Sequence, residues 1–246
     1  MGSTSQPDTG RGALNTMDFS VIANNLSYFL LGAWPAGPLG GAALTLVLSL
    51  CSALASGVLG LVLGVALSMA RGRTRRTLLL VLGFFRAIPA LMLIFWTYFL
   101  LPIAFGLNVP GVGTVIVALS LIGGSYLAHS VYAGISSLPP GQWQASAALG
   151  LRPLQALRHV ILPQALPIML PSFLNQWIAL IKDSSLAYVI GVGELSFVAT
   201  QVSNREMVFP TEIFLFVALL YFVICSSLEL GAGAIARRYG TAGKGT

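Results

Sequence analysis

Long apolar runs alternate with short polar or turn-rich gaps along most of this chain. A helix that crosses a bilayer needs about 20 consecutive apolar residues, and five runs reach that length. The predicted membrane helices cover residues 42–70, 77–105, 112–138, 165–190 and 210–236. Because the gaps between them are short, the pattern predicts an all-α membrane protein with five transmembrane helices in one domain, over residues 42–236.

The first 41 residues differ in character from the rest. Residues 1–18 form a polar tail, which has no charged region followed by an apolar run and a cleavage site, so we expect no cleaved signal peptide. Residues 19–41 contain an apolar stretch that Asn24 and Asn25 interrupt, and it is too short to span. This stretch predicts an interfacial helix followed by a turn.

The first predicted span carries small residues at one-turn spacing, at Gly57, Gly60 and Gly64. Small side chains at this spacing let two helix backbones approach closely in lipid. The alternative is that the helix merely tolerates glycine. The pattern therefore predicts a close helix–helix contact on this face.

Charge excludes one class of protein and orients the chain. Only 8% of the residues are charged, against about 25% in soluble domains, so a water-soluble protein is excluded. Nine of the 13 basic residues lie in segments 71–76, 141–163 and 237–246, which contain no Asp or Glu. With five spans these segments share one side, which the positive-inside rule makes cytoplasmic. The N-terminus is then outside and the C-terminus inside, and the net charge requires no nucleic acid.

The segment 141–163, which we call the coupling segment, is the one long internal stretch that is both polar and helix-prone. Its sequence is GQWQASAALGLRPLQALRHVILP. Residues up to Leu149 predict a short helix, Gly150 interrupts it, and Pro153 can start a second short helix. A protein that is otherwise nearly all membrane usually keeps such a segment to contact a partner in water. We therefore expect a helix–elbow–helix docking element.

The coupling segment resembles the loop shared by permease subunits of ATP-binding-cassette (ABC) importers. That loop reads Glu-Ala-Ala, a gap of three, Gly, a gap of nine, then Ile-x-Leu-Pro. The spacing matches throughout, with Gln144, Ser146 and Val160 as substitutions. The resemblance implies six ATPase-coupling residues: Gln144, Ala145, Ser146, Gly150, Leu162 and Pro163. The alternative is an ordinary surface loop.

Other motifs look like those of polar amino acid uptake permeases, the histidine, glutamate, glutamine, arginine and opine type. They are Phe85-Arg86-Ala87-Ile88-Pro89, Gly141-Gln142-Trp143, Leu162-Pro163-Gln164-Ala165 and Lys182-Asp183-Ser184-Ser185-Leu186. The stretch 95–102 is similar to permeases for glutamate, aspartate and their amides. The resemblance covers about residues 19–240.

The resemblance implies the type I ABC importer permease fold in a bacterial inner membrane. It implies a cytoplasmic ATPase dimer that holds ATP and Mg, a second permease subunit of the same or a related sequence, a periplasmic binding protein and surrounding lipid. The chain itself is then no enzyme and holds no cofactor or metal. Its two cysteines give no metal-site spacing. The alternative is a self-sufficient secondary transporter, which predicts internal repeats; we find no convincing repeat.

Polar residues inside the predicted spans are the candidates for the substrate pathway, because a charge at membrane depth costs about 2.5–3.5 kcal/mol and usually faces a cavity or a partner. Arg86 either meets a substrate carboxylate or bonds backbone carbonyls near the cytoplasmic end. The candidate pathway residues are Arg86, Pro89, Ser125, Tyr126, His129, Tyr132, Lys182, Asp183, Ser184 and Ser185.

One motif departs from the resemblance. Where the family commonly has Ala-Glu-x-x-Arg-Gly-Gly, this chain has Ala128 to Gly134 with His129 and Tyr132 at the charged positions. These positions are three apart and share a helix face. Our hypothesis is that a neutral His–Tyr pair replaces an ion pair, since losing one partner alone would strand a buried charge. The alternative is that His129 lines the pore.

Overall fold

The computed structural model describes residues 20–106, 109–207 and 210–240. Within those ranges the chain is helical, with isolated bridges but no named strand. The predicted polar tail 1–18 and residues 241–246 of the predicted basic tail lie outside the described residues.

Nine helices follow one another in the described residues. They are α1 (Ser20–Leu31), α2 (Gly41–Met69), α3 (Gly72–Ala87), α4 (Ala90–Phe105), α5 (Gly111–Ser136), α6 (Pro140–Ala148), α7 (Pro153–Ile190), α8 (Leu195–Glu206) and α9 (Pro210–Gly240). Single π-helical turns occur inside α4 and α7, and α7 ends in a 3₁₀ stretch.

The number of spans agrees with the prediction, but one of them is broken. Helices α2, α5, α7 and residues 210–231 of α9 are each long and apolar enough to cross a membrane, and α3 with α4 makes a fifth if the bent pair is one span. The continuous helix predicted over 77–105 is wrong, because α3 and α4 meet at an angle of 101°. Pro89 has no N–H and holds Ile88 in an extended conformation, which ends α3.

Two connections also differ from their predictions. The gap between the fourth and fifth predicted spans, where no helix was predicted, contains α8. The side chain of Glu194 caps that helix by accepting from the backbone N–H groups of Ser196 and Phe197. The second short helix of the coupling segment begins at Pro153, as predicted, but it does not end before the fourth span. It continues as α7 to Ile190, over 38 residues.

The bundle is centred on α5, which packs along most of its length against α2. The predicted close contact occurs at Gly60 and Gly64. A Cβ added at Gly60 would collide with the Cβ of Leu127, and one added at Gly64 would lie 2.5 Å from that of Val131. The prediction is therefore confirmed at these two positions.

A second cluster joins α1, α8 and α9. Phe29 of α1 is fully buried there beside Leu195 and Ile213. The predicted interfacial helix is thus present as α1, and one of its faces is packed into the protein. Backbone contacts reinforce the junction, because the N–H of Gly41 donates to the carbonyl of Gly193 at 2.9 Å.

Glu194 lies at the centre of this junction with no exposed surface. Besides capping α8, its carboxylate accepts a hydrogen bond of 2.8 Å from the hydroxyl of Tyr221 on α9. Burial raises the pKa of Glu194 from its ordinary value of 4.5 to about 7, although the hydrogen bonds from Ser196, Tyr221 and Phe197 oppose that rise.

We expect Gly60→Ala to destabilise the bundle, because its Cβ would push α2 away from Leu127. Overpacking of this kind costs about 1–3 kcal/mol. Thermal unfolding of the purified protein in detergent measures the loss. Gly83→Ala is the control, since nothing lies within 4 Å of a Cβ added there. Equal melting temperatures for the two variants would contradict the contact.

We expect Glu194 to make stability depend on pH. The folded protein binds the carboxyl proton more tightly than the unfolded chain, so this stabilisation is complete below pH 4.5 and is lost as pH rises through about 7. The full effect is on the order of 3 kcal/mol. The difference in melting temperature between wild type and Glu194→Gln, at pH 5 and at pH 8, isolates this one group. Parallel pH profiles for the two proteins would refute the expectation.

Candidate functional site

The elbow of the coupling segment is a regular helix end. Gly150 has φ +75°, a left-handed conformation that favours glycine. The N–H of Gly150 donates to the carbonyl of Ala147 at 2.9 Å, and that of Leu151 donates to the carbonyl of Ser146 at 3.1 Å. This pair of bonds is the Schellman arrangement that ends a helix. The elbow angle is therefore defined by backbone hydrogen bonds.

The chain turns directly from the elbow into α7. Pro153 occupies the first turn of that helix, and the N–H of Arg152 donates to Oε1 of Gln155 at 2.9 Å. The second arm of the coupling segment is consequently the first turns of a membrane helix.

Hydrogen bonds and apolar contacts hold the coupling segment against the bundle. The buried hydroxyl of Ser146 donates to the carbonyl of Gln142 at 2.7 Å, and Nε2 of Gln164 donates to Oε1 of Gln142 at 3.2 Å. Trp143 packs against the cluster that contains Leu157 and Ile161. Helix α6 is therefore attached to the base of α7 by both polar and apolar contacts.

Two leucines beside the elbow are exposed. Leu149 is 80% exposed and Leu154 is 63% exposed, on either side of Gly150. We call these two side chains the elbow tip. Gln144 and Ala145 are also exposed. The coupling segment thus presents an apolar tip on a rigid base, a shape that fits an apolar groove on a partner.

The structure places the remaining coupling residues at the base of α7. Leu162 is half-buried beside the cluster that holds Trp143, and Pro163 is exposed on the helix. Sequence analysis missed Leu149 and Leu154. The signal that could have found them is two leucines flanking a glycine in an otherwise polar segment.

The first group of pathway candidates lies where α3 crosses α5. The guanidinium carbon of Arg86 lies 4.9 Å from the ring centroid of Tyr126. Nη2 of Arg75 donates to the hydroxyl of Tyr132 at 2.8 Å, and its guanidinium lies 5.5 Å from the same ring. Cation–π contacts of this kind contribute about 0.5–2 kcal/mol. Two arginines of α3 are therefore attached to two tyrosines of α5.

These contacts give Tyr132 a different partner from the one in our hypothesis. Its hydroxyl bonds to Arg75, while Nδ1 of His129 is buried and has no hydrogen-bond partner among the described residues. The hypothesis of a neutral His129–Tyr132 pair is not the arrangement found. Arg75 lies 57 residues from Tyr132 in sequence, and its charge alone did not indicate that contact.

Two other candidates in this region have structural surroundings. The hydroxyl of Ser125 is buried and donates to the carbonyl of Leu121 at 2.8 Å, within its own helix. Pro89 forms the break between α3 and α4 and is exposed.

The second group of candidates lies near the 3₁₀ end of α7. The hydroxyl of Ser184 is buried and donates to the carbonyl of Ile181 at 2.7 Å, and that of Ser185 donates to the carbonyl of Lys182 at 2.6 Å. Lys182 is exposed and Asp183 is half-buried. The two charged side chains, rather than the two hydroxyls, are the groups available to a ligand. The candidates thus form two separate groups, one on α3 and α5 and one on α7.

Metal-ligating side chains are dispersed. In the part of the chain that the structure describes, no three His, Cys, Asp or Glu residues come together as a metal site would require. Cys51 and Cys225 are both free thiols.

Comparisons with known proteins agree with the fold and the motifs. The family model described as "Binding-protein-dependent transport system inner membrane component" matches residues 56–241. The probable glutamine ABC transporter permease protein GlnM of Bacillus subtilis is 37% identical over 155 residues, 63% of this chain and 71% of that protein. The glutamate/aspartate import permease protein GltK of Escherichia coli is 35% identical over 162 residues, 63% of this chain and 71% of that protein.

Solved structures extend the likeness to nearly the whole fold. A crystal structure of an amino acid ABC transporter with histidines superposes with a TM-score of 0.77 at 26% identity, covering 91% of this chain and 100% of that chain. The inward-facing MetNI methionine ABC transporter has a TM-score of 0.70 at 24% identity, covering 80% of this chain and 93% of that chain, and shows the fold alone. The helices, the coupling segment and these matches together establish that the chain belongs to the family of binding-protein-dependent transport system inner membrane components, as the permease of an amino-acid ABC importer.

Proposed function

We propose that this permease imports glutamate, aspartate or their amides. The names of two relatives, a glutamine permease and a glutamate/aspartate permease, support this substrate class. The polar and charged side chains exposed on α3, α5 and α7 also support it. A polar amino acid that enters the membrane loses its hydrogen bonds to water, and only a polar pathway can replace those hydrogen bonds.

ATP hydrolysis takes place on partner subunits that hold the ATP and Mg, and the coupling segment receives their movement. The observation that carries this proposal is the exposed elbow tip on a rigid base that continues into a membrane helix. An exposed apolar tip of this kind is stabilised when a partner groove covers it. A displacement of the elbow is passed to α7 without an intervening flexible joint.

The arrangement in the membrane follows from the basic segments. The arginines at the start of α3, the coupling segment and the end of α9 face the cytoplasm, so α1 and α8 lie at the outer face, where a periplasmic binding protein delivers the substrate. The membrane is the bacterial inner membrane, a location that the words "inner membrane component" in the family description support. Residues 42–236 form the permease domain. A second permease, of the same or a related sequence, completes the pore, because five spans enclose little space alone.

The pathway candidates divide between two roles. Lys182 and Asp183 face the transported amino acid, whereas Arg86 and Tyr126 join α3 to α5 through their cation–π contact. His129, near Arg86, lines the same side of α5. No observation favours the secondary-transporter alternative.

We expect Gly150→Ala to uncouple uptake from ATP hydrolysis, since alanine is strained at φ +75° and would change the elbow angle. The measurement is ATP-dependent uptake of labelled amino acids by proteoliposomes that contain the permease with its ATPase and binding protein. Uptake falls at least about tenfold if the strain exceeds about 1.4 kcal/mol in the coupled state. Gly141→Ala is the matched control, because its Cβ also meets open space and no positive φ is involved.

Two results would contradict the proposal. Uptake by the wild type that is driven by an ion gradient and does not require the ATPase would contradict the proposed function as an ATP-driven importer. Full uptake by Gly150→Ala, in a transporter that needs ATP, would show that the elbow geometry is unimportant for coupling.

We expect the double variant Leu149→Gln, Leu154→Gln to weaken binding of the ATPase subunit. Each leucine loses about 1.5–3 kcal/mol of apolar burial in a partner groove. Co-purification of the ATPase with tagged permease in detergent measures the effect. Arg158→Gln, an exposed position on the first turns of α7, is the control. Undiminished co-purification of the double variant would show that the elbow tip lies outside the interface.

A further inference from the structure

The two sides of α3 differ in what they contact. One side packs on the bundle, where Leu82 is 1% exposed and both Arg75 and Arg86 contact tyrosine rings of α5. Residues at steps of three and four lie on the opposite side of the helix, and they are Arg73, Arg76, Leu80 and Phe84. We call these four residues the exposed face of α3.

The exposed face is open within the described residues. The side chains of Arg73 and Arg76 are exposed and make no hydrogen bond or ion pair with another described residue. Leu80 is 74% exposed and Phe84 is 52% exposed. The ring of Phe84 stacks on that of Trp96, with the two centroids 6.5 Å apart. The face thus presents two arginines first and an apolar surface after them.

The chain supplies no carboxylate from the surrounding sequence to neutralise these arginines. The seven acidic residues are Asp8, Asp18, Asp183, Glu194, Glu206, Glu212 and Glu229. Residues 19–182 therefore contain no acidic side chain. Within that range Arg71, Arg73, Arg75 and Arg76 lie close together, and like charges at this spacing on a helix repel one another. An anion from outside the chain would relieve that repulsion.

The order of the groups along the exposed face matches a phospholipid of the cytoplasmic leaflet. The positive-inside rule places the arginines at the level of the headgroups, and about 16 Å of helix leads from Arg73 to Phe84. Guanidinium groups bind phosphate oxygens through paired hydrogen bonds, and basic clusters beside a membrane helix attract anionic headgroups. Leu80 and Phe84 follow the arginines towards the acyl chains. A small soluble anion would leave these two side chains uncovered.

We propose that the exposed face of α3 binds an anionic phospholipid, with Arg73 and Arg76 on its phosphate and with Leu80 and Phe84 along an acyl chain. The bound lipid neutralises the repulsion among the arginines, and it thereby stabilises the start of α3, where Arg75 contacts α5 from the opposite side. This site is separate from the substrate pathway, and it does not depend on which amino acid is transported.

Lipid binding by the purified permease tests the site. The protein is titrated with phosphatidylglycerol in detergent micelles, and native mass spectrometry counts the bound lipid. We expect the double variant Arg73→Gln, Arg76→Gln to bind about 25-fold more weakly, because each arginine near an anionic headgroup contributes roughly fivefold. The matched control is Arg152→Gln, Arg158→Gln, which removes the same charge from exposed positions of another basic segment. Equal affinities of the two double variants would overturn the proposal.

Further measurements separate a phospholipid from other anionic partners. For the wild type we expect weaker binding of phosphatidylcholine, which has no net charge, and weaker binding of phosphatidylglycerol as NaCl rises from about 0.1 M to about 1 M. Leu80→Gln keeps both arginines and should also bind phosphatidylglycerol more weakly. Phosphatidylglycerol should raise the melting temperature of the wild type, whereas inorganic phosphate should not.

Two results would contradict the phospholipid as the ligand. Equal affinities of the wild type for phosphatidylcholine and phosphatidylglycerol would show that the arginines do not bind the headgroup. If Arg73→Gln, Arg76→Gln bound phosphatidylglycerol normally but no longer co-purified with the ATPase, the arginines would belong to the interface with that subunit.

Discussion

The contact of α2 with α5 is the interaction on which the other helices depend. In lipid there is little hydrophobic driving force between helices, so close van der Waals packing has to hold them together. Gly60 and Gly64 allow that approach, and their partners Leu127 and Val131 are fully buried. Helices α3 and α7 then pack on the pair, and the tyrosines of α5 hold the arginines of α3. Removing the close contact would deprive each of these elements of its support.

The functional parts are connected through one element. Helix α7 begins at the elbow and buries apolar side chains such as Leu180 and Ile181 in the core, while Lys182 on the same helix is exposed. The contact that we propose with the ATPase and the contact that we propose between Lys182 and the substrate are therefore on the same helix, at different depths. Helix α3 offers no comparable route, because the break at Pro89 separates it from α4.

Much of this organisation could be predicted from the sequence. Hydropathy predicted the bounds of the first and third spans and the start of the fifth within a few residues, and the spacing around Gly150 predicted the elbow, because both depend on local composition. The break of the second span and the early start of the fourth were not predicted. Three features could not be predicted in that way. The partner of Tyr132 is Arg75, and a contact between residues 57 apart depends on how two helices cross. The second arm of the coupling segment is part of α7, and the side chain of Gln155 caps the start of that helix. The 12 residues of α8 are helical although their surroundings have a turn-like composition, because the side chain of Glu194 caps that helix. The exposure of Leu149 and Leu154 could not be predicted either, because it depends on which of the described residues pack around the elbow.

The length of α7 has a mechanical consequence. Its 38 residues extend for about 57 Å, whereas the hydrocarbon layer is about 30 Å thick. Nearly half of the rod therefore stands outside the hydrocarbon, or the rod is strongly tilted. The π-helical turn at Leu157–Ile161 and the two internal prolines, Pro167 and Pro171, are the points of this long helix where its regular hydrogen bonding is interrupted and where it can bend. A displacement of the elbow therefore meets these points before it reaches Leu180 and Ile181, where the helix is buried in the core.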